Sequence, residues 1–187
     1  MRRAKVLGVT VAAWAILAGL ADAMVYVPMT FKALVTEARV IVVGRVAGTD
    51  AQWTDGRRSI ETLVTIDVEQ YLKGDMGRSV TIRVPGGQVG PYLSLMPGAP
   101  RFAPGDQVVL FLAGDGPAIP HVLGLGQGVF RVVTDPASGA RTVIPELLTA
   151  ASAGAVAVVR GDPARRPAPL NRFSADVRAL AAGANAR

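Results

Sequence analysis

The stretch Ile60-Glu61-Thr62-Leu63-Val64-Thr65-Ile66-Asp67-Val68-Glu69-Gln70-Tyr71-Leu72 decides the fold class. Ile60, Thr62, Val64, Ile66 and Val68 share one parity, while Glu61, Thr65, Asp67 and Glu69 share the other, and only Leu63 breaks the alternation. Successive strand side chains point to opposite faces, so this pattern predicts a long half-buried strand with its acids in water. Lys73-Gly74-Asp75 reads as a turn, and Val80, Ile82 and Val84 alternate with Thr81 and Arg83 in the next strand. Upstream, residues 50–58 read as a polar hairpin loop. Before them, Val40-Ile41-Val42-Val43-Gly44-Arg45-Val46 is β-branched and apolar on both parities. That predicts a strand covered on both faces. Gly44 in its middle predicts a bulge or the close approach of another backbone.

Downstream, Phe102-Ala103-Pro104-Gly105-Asp106 reads as a turn leading into Gln107-Val108-Val109-Leu110-Phe111-Leu112, a buried central strand. Residues 114–120 form another turn. Residues 122–125 and 129–134 read as short strands around Gly124, Gly126 and Gly128. Asp135-Pro136-Ala137-Ser138-Gly139 is strong turn chemistry, after which residues 142–144 pair back as a hairpin arm. Seven strand segments at short spacing predict an all-β barrel or sandwich. Two helices flank them. Thr30 caps a helix that places Phe31, Leu34 and Val35 on one side. Leu170, Phe173, Val177 and Leu180 form the apolar stripe of a C-terminal amphipathic helix over 170–183, capped by Ser174 or Asn171 and ended by Gly183.

The chain's 187 residues fit one domain and can bury roughly 70% of the unfolded surface. At its start, Met1-Arg2-Arg3-Ala4-Lys5 is a positive region, residues 6–20 are uncharged, and Ala21-Asp22-Ala23 supplies small residues for a cleavage site. This is the three-part pattern of a secretory signal peptide. Residues 1–23 are therefore expected to be removed, leaving an exported protein, periplasmic or extracellular, with no membrane span after cleavage. The expected organisation is a β-barrel domain over 24–145, an Ala-, Pro- and Arg-rich linker over 146–169, and the C-terminal helix. The net charge of +6 is uneven. Residues 24–159 carry 11 basic and 11 acidic groups, and six Arg against two acids follow from Arg160. A neutral domain offers no basic face for nucleic acid. Arg165-Arg166, among Pro163, Pro167 and Pro169, reads as a solvated linker first and as an anionic-surface contact second.

With no Cys and one His, the chain lacks disulfides, a thiol nucleophile and a multi-histidine metal site. Neither a cofactor nor a metal is expected. Gly124-Leu125-Gly126-Gln127-Gly128 is followed by strand rather than helix, so its glycines read as tight turns instead of a dinucleotide fingerprint. Pro85-Gly86-Gly87-Gln88-Val89-Gly90 has no Gly-Lys-Ser/Thr after it and is not a phosphate loop. His121 reads as a strand-end residue. Ser94 lies in a loop with no visible base. Asp50 and Asp55 sit with Trp53 in a solvated hairpin. Glu61, Asp67 and Glu69 form an exposed acid stripe, whereas paired acid/base catalysis needs one carboxylate in an apolar setting.

Three segments in order carry a resemblance: the strand at Val40-Ile41-Val42-Val43-Gly44-Arg45-Val46, the long strand ending Tyr71-Leu72-Lys73-Gly74, and Phe102-Ala103-Pro104-Gly105-Asp106-Gln107-Val108-Val109-Leu110-Phe111. The chain resembles a group of uncharacterised exported bacterial proteins. More distantly, over about residues 31–133, it is similar to the netrin-like module, the fold of the tissue inhibitors of metalloproteinases. The resemblance implies a mainly β fold: an OB-like (netrin-like) small barrel with a short N-terminal helix and a C-terminal amphipathic helix. Those inhibitors bind zinc through an N-terminal Cys, which this chain lacks, so neither the inhibitory mechanism nor any functional residue carries over.

The expected function is an exported, non-catalytic barrel domain that binds a protein partner. The alternatives are an envelope structural or carbohydrate-binding module using Trp53, Tyr71 and Tyr92, and a hydrolase using Ser94 or the acids. Residues 85–104 carry Gly86, Gly87, Gly90, Gly98, Pro91, Pro97 and Pro100 and predict an irregular loop of about 18 residues. Gln88, Tyr92, Leu93, Leu95, Met96 and Arg101 are its candidate partner-binding residues, because aromatic, Met and Arg side chains are enriched at interfaces. The competing expectation has Leu93 and Leu95 folding inward to cap an open barrel end. N-terminal sequencing of the exported protein is expected to begin at Met24. A chain beginning at Met1 refutes the cleavage.

Overall fold

The computed structural model describes residues 28–114, 118–146, 162 and 165–185. The signal sequence read at residues 1–23 and the Ala-rich segment 147–159 lie outside the described residues. Strand β1 (Val40–Thr54) and strand β2 (Ser59–Lys73) make an antiparallel hairpin of two 15-residue strands. Residues 50–54, expected in a loop, are strand instead and pair with residues 63–59. Cross-strand partners outweigh their polar composition. The turn is confined to residues 55–58, where Asp55, Gly56 and Arg57 all have positive φ.

The remaining strands are β3 (Ser79–Pro85), β4 (Gly87–Val89), β5 (Tyr92–Ser94), β6 (Gln107–Ala113), β7 (His121–Val122), β8 (Val129–Thr134), β9 (Arg141–Pro145) and β10 (Ala168–Pro169). A ring closes in the order β1-β2-β3-β7-β6 and back to β1. It is a closed five-stranded barrel in a mainly β protein, the OB-like architecture expected from the sequence. The β3–β7 pairing is parallel and the other ring pairings are antiparallel. One edge of β6 pairs with β1 from Gln107 to Leu112. Its other edge is shared, with residues 108–110 bonded to β8 and residues 112 and 113 to β7. Strands β8, β9 and β10 thus extend the sheet beyond the ring.

Both faces of β1 are buried over residues 40–44, as the two-parity pattern there predicts. Val40, Val42 and Val46 enter the barrel interior with Val64, Ile66, Val80, Ile82, Val84, Val108, Leu110 and Leu112. Ile41 and Val43 enter a second core outside the ring with Val109 and Phe111. A Cβ on Gly44 would collide with the Asp67 carbonyl oxygen and stand 2.7 Å from the Ile66 Cγ2. Close approach of β2 therefore requires the glycine. In β2, register shifts opposite residues 43–44 and 41–42 change the facing side. Val68 and Tyr71 both pack toward the barrel interior, and Leu72 joins the outer core.

The outer core is roofed by two helices. Helix α1 (Phe31–Glu37) begins at Thr30, whose Oγ1 accepts from the Ala33 N–H at 3.1 Å, and buries Phe31, Leu34 and Val35. The Lys73 Nζ donates to the Val35 and Thr36 carbonyls at the other end, each at 2.9 Å, and burial pushes the pKa of this ammonium down. Helix α2 (Leu170–Asn185) docks on the same domain through Leu170, Phe173, Val177 and Ala181, with Leu180 half-buried beside them. Phe31, Phe111, Phe130 and Phe173 contact one another in all six pairings, with ring centroids 5.1–6.4 Å apart.

Some boundaries differ from expectation. Helix α2 starts at Leu170, so Ser174 lies inside it and Asn171 in its first turn rather than at its cap, and the helix runs past Gly183. The β10–β9 pairing brings the chain in up to Pro169, immediately before the first helical residue. Residues 123–125 are not strand. Gly124 and Leu125 take positive φ and lead into a 3-10 turn, Leu125–Gly128. Buried Gln127 in that turn accepts from the Met29 N–H at 2.7 Å. Arg165, expected in solvated linker, donates to the Gln127 carbonyl at 2.6 Å and lies 5.7 Å over the Phe130 ring. The Asp162 carboxylate accepts from the Phe31 N–H at 2.6 Å. Arg166 is exposed.

One half-buried cation ties the barrel rim together. Arg131 of β8 donates to Asp106 at 2.6 Å, to Glu146 at 2.5 Å and to the Arg101 carbonyl, and stacks 5.2 Å from the Phe102 ring. Burial alone would lower its pKa, but the Glu146 and Asp106 carboxylates raise it overall. Arg131→Met removes the guanidinium that the two carboxylates share. It is expected to cost about 2–4 kcal/mol in chemical denaturation, and an unchanged midpoint refutes the role. Phe173→Ala opens the aromatic cluster and is expected to cost about 3–5 kcal/mol, read as a lowered melting temperature. An unchanged melting temperature means that α2 does not hold this position in solution.

Candidate functional site

Residues 85–104, expected to be irregular, begin with a small hairpin. Strand β4 pairs with β5 through Gly87↔Ser94, Gln88↔Leu93 and Val89↔Tyr92, and the two-residue turn between them carries Gly90 at φ +58. Two glycines let the chain leave β3 at a sharp angle. Gly86 has φ +90 and Gly87 φ +139. Added Cβ atoms would meet the Ser94 carbonyl oxygen at 2.8 Å from Gly86 and collide with the Thr62 Oγ1 from Gly87. Thr62 donates to the Gly86 carbonyl at 2.8 Å, and the Gly86 N–H to the Ile60 carbonyl at 2.9 Å. The hairpin base is thus fastened to β2. On its flank, Tyr92 packs edge-on against Trp53 of β1, centroids 5.3 Å apart, and Arg57 covers the Trp53 ring at 5.6 Å.

The loop then divides. Tyr92, Leu93, Leu95 and Met96 are exposed, Leu95 to 64%. The expectation that Leu93 and Leu95 fold inward is therefore overturned. The capping role falls to the next few residues instead. Pro100 is buried, and Ala99 and Phe102 pack against the barrel interior. The Gly98 carbonyl accepts from the Gly126 N–H at 2.9 Å. Gln88 is exposed, and its side chain donates to the Gly90 carbonyl at 3.2 Å, stiffening the turn. The Arg101 side chain is exposed, while its carbonyl is held by Arg131. A groove of about 1000 Å³ runs beneath the hairpin, with Thr49, Ala51, Gln88, Leu93, Met96 and Arg101 in its walls.

A second, largely apolar pocket of about 400 Å³ lies on the other side of Pro85 and Gly86. It corrects one expectation. Glu61, read as part of an exposed acid stripe, is only 7% exposed. Its carboxylate accepts from the Gln52 Nε2 and the Arg83 Nε, each at 2.9 Å. Gln52 stands directly opposite Glu61 in the β1–β2 register, a pairing hidden when residues 50–58 read as a loop. Asp67 and Glu69 are exposed as expected. Ser94 and His121 line this same pocket. The serine thus shares a pocket with a histidine, which sequence spacing did not reveal. Glu61 turns to Gln52 and Arg83 rather than orienting His121, which lies exposed at the start of β7.

The glycines of residues 124–128 serve turns, as expected. A Cβ on Gly128 would collide with the Leu123 carbonyl oxygen. Among the described residues, no three His, Cys, Asp or Glu side chains gather where a metal ion could be held. Nor is any helix among them long and apolar enough to cross a membrane. No protein-family model matches the chain, and no curated protein or solved structure is significantly similar to it.

Proposed function

We propose that the protein is an exported, periplasmic or extracellular barrel domain that binds a protein partner through the β4–β5 hairpin and the residues just after it. One observation carries this reading. Among the described residues, seven large apolar side chains are exposed, and four of them, Tyr92, Leu93, Leu95 and Met96, fall within five consecutive positions. Met76, Ile119 and Val133 are the others, and they are scattered along the chain. A clustered apolar surface marks an interaction site, whereas single exposed apolar residues need no explanation. The hairpin is also pre-ordered by its bonds to β2 and by Trp53, which lowers the entropy lost on binding. The export pattern read in residues 1–23 supports a partner outside the cytosol.

A carbohydrate-binding module is a second reading, supported by the meeting of Trp53 and Tyr92. The two readings separate by experiment. A photo-crosslinking residue at Leu95 is expected to give a discrete protein adduct in the native envelope fraction, with none from the same residue at Val133. Leu93→Asp is expected to abolish competition for that adduct while moving stability by about 0.5 kcal/mol or less, as for other exposed positions. Equal adducts from Leu95 and Val133 refute the hairpin as the interface. Saturable quenching of Trp53 fluorescence by cell-wall oligosaccharides, without a protein adduct, favours the carbohydrate reading.

A further inference from the structure

A third pocket, of about 630 Å³, lies toward the other end of β2, where the β8–β9 turn meets the start of α2. Its polar walls are Gln70, Arg141, Asn171, Ser174 and Arg178. Thr62 at the hairpin base and Gln70 are eight residues apart on β2, or about 25 Å at strand rise. The two surfaces are therefore separate.

The balance of donors and acceptors here is uneven. Arg141 gives one N–H to Glu69 at 2.7 Å, and Arg178 gives one to Gln70 at 3.0 Å. Those bonds occupy an oxygen of each β2 side chain and anchor both guanidinium groups. Donors are left over. The Arg141 Nε is buried with no hydrogen-bond partner, and so is the hydroxyl of Ser174, a residue 3% exposed in the pocket wall. Buried polar groups are almost always paired, so two orphans around one pocket call for an explanation. The pocket also lies at the N-terminal end of a 16-residue helix. The first turn carries the helix's positive dipole end, and one of its N–H groups, that of Arg172, is already taken by the Asn171 Oδ1 at 2.8 Å.

We propose that this pocket binds the carboxylate of a small organic acid, held by Arg141, Arg178 and Ser174 at the start of α2. Charge selects the class. Two guanidinium groups against the single Glu69 carboxylate leave one positive charge, which a monocarboxylate neutralises. A guanidinium fork matches a carboxylate in plane and spacing. The volume exceeds what a bare carboxylate fills, and Pro169 and Leu170 in the wall offer apolar surface to its carbon body.

The test is a titration of the purified protein at low ionic strength with sodium acetate, propionate and benzoate, against sodium chloride at matched ionic strength. Nuclear magnetic resonance follows the Arg141 Nε–H and the Ser174 amide. A saturable shift is expected with the carboxylates and none with chloride, with benzoate binding more tightly than acetate. Arg178→Gln, at an exposed helical position, is expected to weaken binding about tenfold without unfolding the chain. Ser174→Ala is expected to weaken it several-fold. Leu93→Asp should leave it unchanged, which keeps this result independent of the hairpin reading. A response no larger than that to chloride overturns the proposal, as does unaltered affinity in Arg178→Gln. A stronger response to sulfate or phosphate than to any carboxylate overturns the choice of ligand.

Discussion

The pairing of β1 with β6 is the constraint on which the rest of the structure depends. It closes the ring, and it buries β6 and the first part of β1, residues 40–44, on both faces. A strand in that position has no solvent to satisfy its backbone, so every N–H and C=O needs a partner on a neighbouring strand. β1 obtains these from β2 on one side and β6 on the other. Its even-numbered valines fill the barrel while Ile41 and Val43 support the outer core, where Phe111 of β6 meets Phe31, Phe130 and Phe173. A change on either face of β1 therefore reaches both cores.

The second consequence of closure concerns the ends of β2. This strand is longer than the ring needs, and each end projects toward a different surface. Near Ile60 and Thr62 it anchors the Gly86-Gly87 exit and so aims the hairpin. Near Glu69 and Gln70 it fastens Arg141 and Arg178 beside α2. Rigid elements position both surfaces. The hairpin's exposed apolar side chains stand on a base tied to β2, and the segment after it is clamped by Arg131 through the Arg101 carbonyl and Asp106. A partner meeting the hairpin encounters a surface already ordered.

Six of the seven strand segments, both helices and the burial of β6 and the first part of β1 on two faces were legible in the sequence, whereas of the segment read over 122–125 only Val122 is strand. Alternation, β-branched runs and turn residues are local properties, and local sterics read them without knowing the partner strand. Thr30 at the cap of α1 and the Asp135–Gly139 turn belong to the same class. What only the tertiary structure decided was the pairing. Glu61 has the polarity of a solvent-facing residue, and its burial follows from Gln52 and Arg83 arriving on neighbouring strands. The β4–β5 hairpin has too few residues to show a period, and its stability comes from β2 and Trp53. Ser94 and His121 share a pocket across 27 residues of sequence, and Arg141 and Arg178 flank one across 37. Those juxtapositions depend on strand register and helix docking, which arise when distant apolar surfaces exclude water together.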